Sequence, residues 1–135
     1  MDKALTYLAI ARKAGLAELG EEPVGAVTRA GKGYLVAVAS DASDHTWRRA
    51  KSFVAGTEQQ CVRLPYSKDE MGMAVGRSSL AIAAVTDAAL ALALVKSLPD
   101  GDAAAEEALS RRTEKLNQRK KEARAHQRNL RKGKK

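Results

Sequence analysis

Six consecutive apolar residues, Tyr34-Leu35-Val36-Ala37-Val38-Ala39, run straight into the polar cluster Ser40-Asp41-Ala42-Ser43-Asp44, and no other stretch constrains the fold as much. The run is too short for an independent helix, and apolar residues without alternation fit a strand covered on both faces. Leu80-Ala81-Ile82-Ala83-Ala84-Val85, closed by Thr86-Asp87, repeats the design. A helical pattern follows each, so the chain is expected to fold as α/β, a sheet with helices on both faces.

The remaining elements fall into order around these two strands. Leu5, Leu8 and Ala11 mark one face of a helix from Asp2 to Ala14, stopped at Gly15. Leu16–Leu19 reads as a short edge strand ending at Gly20. Pro23, preceded by Glu21 and Glu22, suits the first position of a second helix running to about Ala30, since its missing N–H would be unpaired there and the glutamates complement the helix dipole. Ser43 or Asp44 caps a third helix, with Trp47, Ala50 and Val54 on one face and Arg48, Arg49 and Lys51 on the other. Cys61–Leu64 is a further strand. Ser67-Lys68-Asp69-Glu70 has capping-box spacing and opens a helix through Val75, ended by Gly76. Asp87 to about Leu98 is an Ala/Leu-rich helix. Pro99-Asp100-Gly101-Asp102 is a turn and a domain boundary, giving a domain over 1–98 and a tail over 99–135. Ala103–Leu130 holds helix formers without Gly or Pro, and Lys132–Lys135 is expected to be disordered. Leu109, Leu116, Ala123 and Leu130 recur every seven residues, but the companion positions are mostly polar, which is not a coiled-coil seam.

Charge is distributed as unevenly as hydropathy. Residues 1–98 hold 12 Lys and Arg against 10 Asp and Glu, whereas from Arg111 onward 12 basic residues face only Glu114 and Glu122. Such a field suits a polyanion, with nucleic acid the leading partner. The longest apolar run, Ala88–Val95, is far short of the ~20 residues a membrane helix needs. A single cysteine, Cys61, allows no internal disulfide and fits a reducing compartment, so a cytoplasmic location is expected.

Catalytic and ligand motifs are missing. Gly25 to Gly31-Lys32 has five residues between its glycines where a phosphate loop has four, with Gly33 where Ser or Thr would meet magnesium. Cys61, His45 and His126 lack metal-ligand spacing. Ser40–Asp44 lies at the carboxyl end of a central strand, where α/β proteins place sites, yet its residue types suit a capping turn better than catalysis. No metal, no cofactor and no small-molecule substrate is expected.

The segments Ala11-Arg12-Lys13-Ala14-Gly15, Gly20-Glu21-Glu22, Leu35–Ser43, Met71-Gly72-Met73-Ala74-Val75-Gly76 and Ala84-Val85-Thr86-Asp87, in this order and spacing, resemble the bacterial YlxQ-type members of the large-subunit ribosomal protein "seven-Ae" family. The resemblance covers roughly residues 3–98. It implies a three-layer α-β-α sandwich with a small mixed four-stranded sheet, no enzymatic activity, and binding of kink-turn RNA. In that family RNA meets the glycine turn and first turn of the second helix, in the pattern Gly-x-Asn-Glu-x-x-Lys, and the loop after the fourth helix. With the Gly20–Gly31 spacing kept, Gly20 takes the glycine, Glu22 the asparagine, Pro23 the glutamate and Ala26 the lysine. A shift of one residue keeps a glutamate and puts Gly25 at the lysine. Either way the asparagine and lysine are absent, and with them a phosphate contact. Arg77-Ser78-Ser79 stands where the family usually has an apolar residue, and Arg77 can stack on a base instead.

The sequence therefore predicts a non-enzymatic, ribosomal-protein-like RNA-binding protein, monomeric when free, with RNA and the ribosome as partners and no membrane. The expected family surface is Gly20, Glu21, Glu22, Ala26, Arg29, Lys32, Gly76, Arg77 and Ser78. Sequence-blind phosphate contacts are expected from Arg111, Arg112, Lys115, Arg119, Lys120, Lys121, Arg124, Arg128 and Arg131 in the tail. The alternative is a protein-interaction module of the translation apparatus, which has lost kink-turn specificity and docks through its acidic helix start or the Leu109, Leu116, Leu130 stripe.

Overall fold

The computed structural model describes residues 2–132, with side chains through Arg128. Its elements are α1 (Lys3–Lys13), β1 (Ala17–Leu19), α2 (Glu21–Arg29), β2 (Leu35–Val38), α3 (Asp44–Val54), β3 (Gln60–Arg63), α4 (Lys68–Ala74), β4 (Ile82–Val85), α5 (Ala88–Lys96) and α6 (Ala103–Lys132). The tail contact expected at Arg131 falls among the undescribed side chains, and the disorder expected for 133–135 lies outside the described residues. Lys132 itself closes α6.

The four strands form one mixed sheet in the order β1-β4-β2-β3. β4 runs antiparallel to both neighbours, with Ala17 opposite Val85 and Leu35 opposite Val85, while β2 and β3 are parallel with Leu35 opposite Gln60. The two central strands are the two continuous apolar runs, and all eight of their residues are buried. Alternate side chains feed two cores. Leu35, Ala37, Ala83 and Val85 face α1, α4 and α5, whose Leu8, Met71 and Leu94 are sealed from solvent. Val36, Val38, Ile82 and Ala84 face Val24 of α2 and Ala50 of α3. The result is a three-layer α-β-α sandwich.

Side-chain caps set most helix starts. Ser43 Oγ accepts the Thr46 N–H, Asp87 Oδ2 accepts the Leu90 N–H, and Ser67 and Glu70 complete a reciprocal capping box on α4. α2 departs from the sequence reading: it begins at Glu21, so Pro23 is its third residue. Val24 is the first to donate back, to the Gly20 carbonyl, and a proline anywhere in the preceding turn costs no hydrogen bond.

The turn from α2 into β2 is pinned by Gln59, buried beside it. Its side-chain amide donates to the Thr28 carbonyl at 3.1 Å while its Oε1 accepts the Gly33 N–H at 2.9 Å. The first turns of α6 lie in the same core as α1 and α5, where Ala105 is buried and Leu109 is completely so. α6 continues along the β3 edge and leaves the body beyond Leu116, with every residue from 117 to 128 exposed.

Candidate nucleic-acid interface

Strand direction brings the carboxyl ends of β1, β2 and β3 and the amino end of β4 to one end of the sheet. Gly20 lies there, its N–H donating to the Ile82 carbonyl at 3.0 Å. Its φ of +98° is in the left-handed region, so a glycine is needed to turn the edge strand directly into α2. Glu21 Oε1 accepts the Arg49 Nε–H of α3 at 2.6 Å, which neutralises one of the two carboxylates at the helix start, while Glu22 faces solvent.

The loop after α4 is at the same end and is held by backbone. Arg77 donates its N–H to the Gly72 carbonyl at 2.8 Å, and Leu80 donates to the Lys68 carbonyl at 2.9 Å. A side chain at Gly72 would lie 2.7 Å from the Ser79 nitrogen, so the loop is laid directly against the helix. With the backbone inward, the side chains of Arg77 and Ser78 are exposed. Beside these turns, Asp41 Oδ1 accepts the Lys68 N–H at 2.8 Å and so caps α4 from the loop after the neighbouring strand, and Ser43 caps α3. The Ser40–Asp44 cluster is thus a capping device.

The structure brings Gly20, Glu21, Glu22, Gly76, Arg77 and Ser78 to this end and leaves Arg29 and Lys32 at the other end of α2, about 13 Å of helix away at 1.5 Å per residue. Ala26 is exposed on the helix between them, whereas Gly25 is buried. A Cβ on Gly25 would sit 3.1 Å from both Arg29 Nη1 and Phe53 Cζ. That close approach of α2 to α3 makes position 25 a crowded one for a side chain, and Ala26 is the position from which a lysine would reach solvent. Arg29 lies back over Gly25 toward Phe53, a ring that also carries the Arg49 guanidinium 5.1 Å from its centroid.

At this second end α6 crosses the start of β2. The Arg112 guanidinium stacks 4.1 Å over the Tyr34 ring, with its Nε 3.7 Å from Glu58 Oε2, and Lys115 Nζ reaches the same carboxylate at 3.9 Å. Arg119 lines the cleft formed with them. Arg111 pairs with Glu107 at 3.3 Å, the one acid–base pair within α6 among the described residues, and Glu122 accepts the Gln118 amide instead. Lys120, Lys121, Arg124 and Arg128 extend into solvent.

Besides Arg49 over Phe53, the contacts of two aromatic residues escaped the sequence reading. One is Tyr34 under Arg112. The other is Trp47, with the Arg63 guanidinium 4.8 Å and the Lys51 ammonium 5.6 Å from its ring. Trp47 has a sequence signal in the basic residues next to it, whereas nothing near Tyr34 in the sequence points to Arg112. Burial pushes the Cys61 thiol up to about 11, against smaller downward pulls from Lys51 and Arg63, so it has neither the thiolate character of a nucleophile nor that of a metal ligand. Among the described residues no group of three or more His, Cys, Asp or Glu side chains could hold a metal ion. No described helix is long and apolar enough to cross a membrane.

No protein-family model and no curated protein matches the chain. Solved structures do. A protein with unknown function from Bacillus halodurans C is 25% identical with a TM-score of 0.67, over 71% of this chain and 96% of that one. The Giardia lamblia 15.5kD RNA binding protein is 19% identical with a TM-score of 0.61, over 79% of this chain and 87% of that one. The α-β-α sandwich described above is therefore the fold that this chain shares with an RNA-binding protein of known structure.

Proposed function

We propose that the chain is a non-enzymatic RNA-binding protein of ribosomal-protein type. The domain of residues 1–98 takes structured, kink-turn-class RNA at the Gly20 and Gly76 turns, and the basic element of 99–135 adds phosphate contacts. The observation that carries this reading is the exposed basic arm of α6, mounted on a fold shared with an RNA-binding protein. A-form helices hide base edges in a narrow groove, so a protein reads RNA where a kink splays the strands. Two backbone-held turns at one end of a rigid sheet, with Arg77 projecting and the α2 start beside it, suit such a target. The capping roles of Asp41 and Ser43 support the absence of catalysis, since both side chains are committed to helix starts. Burial of Leu109 in the chain's own core removes the first anchor of the leucine stripe, one of the two surfaces offered by the protein-docking alternative.

Binding of the full chain to a kink-turn RNA and to a plain duplex of equal length, titrated with salt, tests the proposal. Affinity is expected to fall with salt by a log–log slope of about 0.9 per phosphate contact if the duplex-DNA rule carries over. The kink-turn RNA is expected to bind more tightly than the duplex at every salt concentration. Affinity that ignores salt would overturn RNA binding. Equal affinity for the two RNAs would overturn kink-turn recognition alone.

A further inference from the structure

We propose a second RNA contact at the Tyr34 end of the sheet, remote from the Gly20 and Gly76 turns, so that one molecule holds two RNA segments at once. The inference rests on the RNA-binding reading above and adds where, and how many times, RNA is held.

Tyr34 donates its N–H to the Val85 carbonyl, whereas Gly20 donates to the Ile82 carbonyl, so the two ends are separated by the length of β4, about 10 Å at ~3.3 Å per residue. Tyr34 stands between two clefts. Arg112, Lys115 and Arg119 line one of about 120 Å³, and Lys32 together with Glu18 lines the other, of about 430 Å³. The first is smaller than the ~300–1,000 Å³ typical of small-molecule pockets and suits a phosphate with its water. Glu58 is the one carboxylate lining it, at 3.7 and 3.9 Å from two cations, longer than a hydrogen bond. Arg112 Nη1 is buried and has no acceptor among the described residues. Arg112, Lys115 and Arg119 bring three cations to a cleft with one carboxylate, an excess of positive charge that a phosphate offsets. Stacking on Tyr34 fixes the guanidinium before any ligand arrives. From this cleft α6 continues outward, with Lys120, Lys121, Arg124 and Arg128 exposed along residues 117–128, about 18 Å of helix. An RNA strand entering the cleft can follow the arm, and that continuity favours a polynucleotide over an isolated anion.

The test uses the full chain with two differently labelled probes, a kink-turn hairpin and a plain 12-base-pair RNA duplex. Lys32→Glu/Lys115→Glu/Arg119→Glu is compared with Arg12→Glu/Lys13→Glu/Lys96→Glu, which changes net charge equally on the exposed α1 and α5 surface. The native chain is expected to form a ternary complex with both probes. The Tyr34-end variant is expected to bind the duplex about tenfold more weakly than the control variant and to lose the ternary complex, while its kink-turn affinity matches the control. Competition between the two probes for a single site would overturn the proposal and leave RNA binding intact, as would equal losses in both variants. Failure of the native chain to bind either probe would overturn both readings.

Discussion

A side chain at Gly72 would meet backbone: the Ser79 nitrogen at 2.7 Å, the Ser79 Cα at 2.8 Å and the Arg77 carbonyl at 2.9 Å. Backbone cannot swing aside as a rotamer can, so Gly72→Ala must lift the 76–79 loop from α4 or strain the helix. Overpacking of this kind costs about 1–3 kcal/mol. The expected outcome is a lower urea midpoint with an unchanged m-value. Gly25→Ala is the matched control. Its new methyl meets only side-chain atoms, Arg29 Nη1 and the edge of the Phe53 ring at 3.1 Å, which can yield, and alanine favours the helix. It is expected to lose less stability than Gly72→Ala, and a larger loss would show that the α2–α3 contact is the more rigid of the two. The residue scale also bears on the missing lysine. Position 25 is crowded and buried against α3, while Ala26 is exposed and lacks only the side chain.

At the scale of elements, α6 does two jobs along one helix. Its first turns supply Ala105 and Leu109 to the core shared with α1 and α5, and the remainder is solvated. Leu109→Ala is expected to cost about 2–5 kcal/mol, as for other fully buried leucines, read as a drop in thermal or urea midpoint. Leu116→Ala, at a half-buried position of the same stripe, should cost less. Much of the architecture was legible because its causes are local. Two unbroken apolar runs became the central strands, and Ser67 with Glu70 became the α4 capping box. The start of α2 was misplaced by two residues because its cap is a glycine turn, which carries no side-chain signal, and because proline is tolerated throughout a first turn. The burial of Leu109 was not legible, since a seven-residue stripe reports that a helix has an apolar line and not what covers it. Of the candidate site, the clustering of Gly20 with Gly76 follows from strand order. The placement of Arg29 and Lys32 at the far end does too, once α2 is known to run the length of the sheet. Arg112 over Tyr34 joins residues far apart in sequence, and no local pattern encodes it.

For the whole molecule, charge separates cleanly where packing stops. Residues 117–135 hold nine basic residues and one acidic, the whole of the formal +8, so residues 1–116 carry 15 of each sign and are neutral. A chain ending at Leu116 keeps Ala105, Leu109 and the Arg112 stack, and it loses residues that from 117 to 128 are all exposed. Its stability is expected to stay within about 0.5 kcal/mol of the full chain, as for surface changes elsewhere. RNA binding should respond in the opposite sense. With up to nine cations removed, the salt slope is expected to flatten to the few contacts the body makes, and affinity near physiological salt to fall by orders of magnitude. Comparing denaturation midpoint and salt slope in the same pair of proteins keeps the two effects apart. A slope that survives the truncation would place the phosphate contacts in the sandwich. A lost midpoint would mean that residues beyond Leu116 stabilise the fold through contacts other than burial.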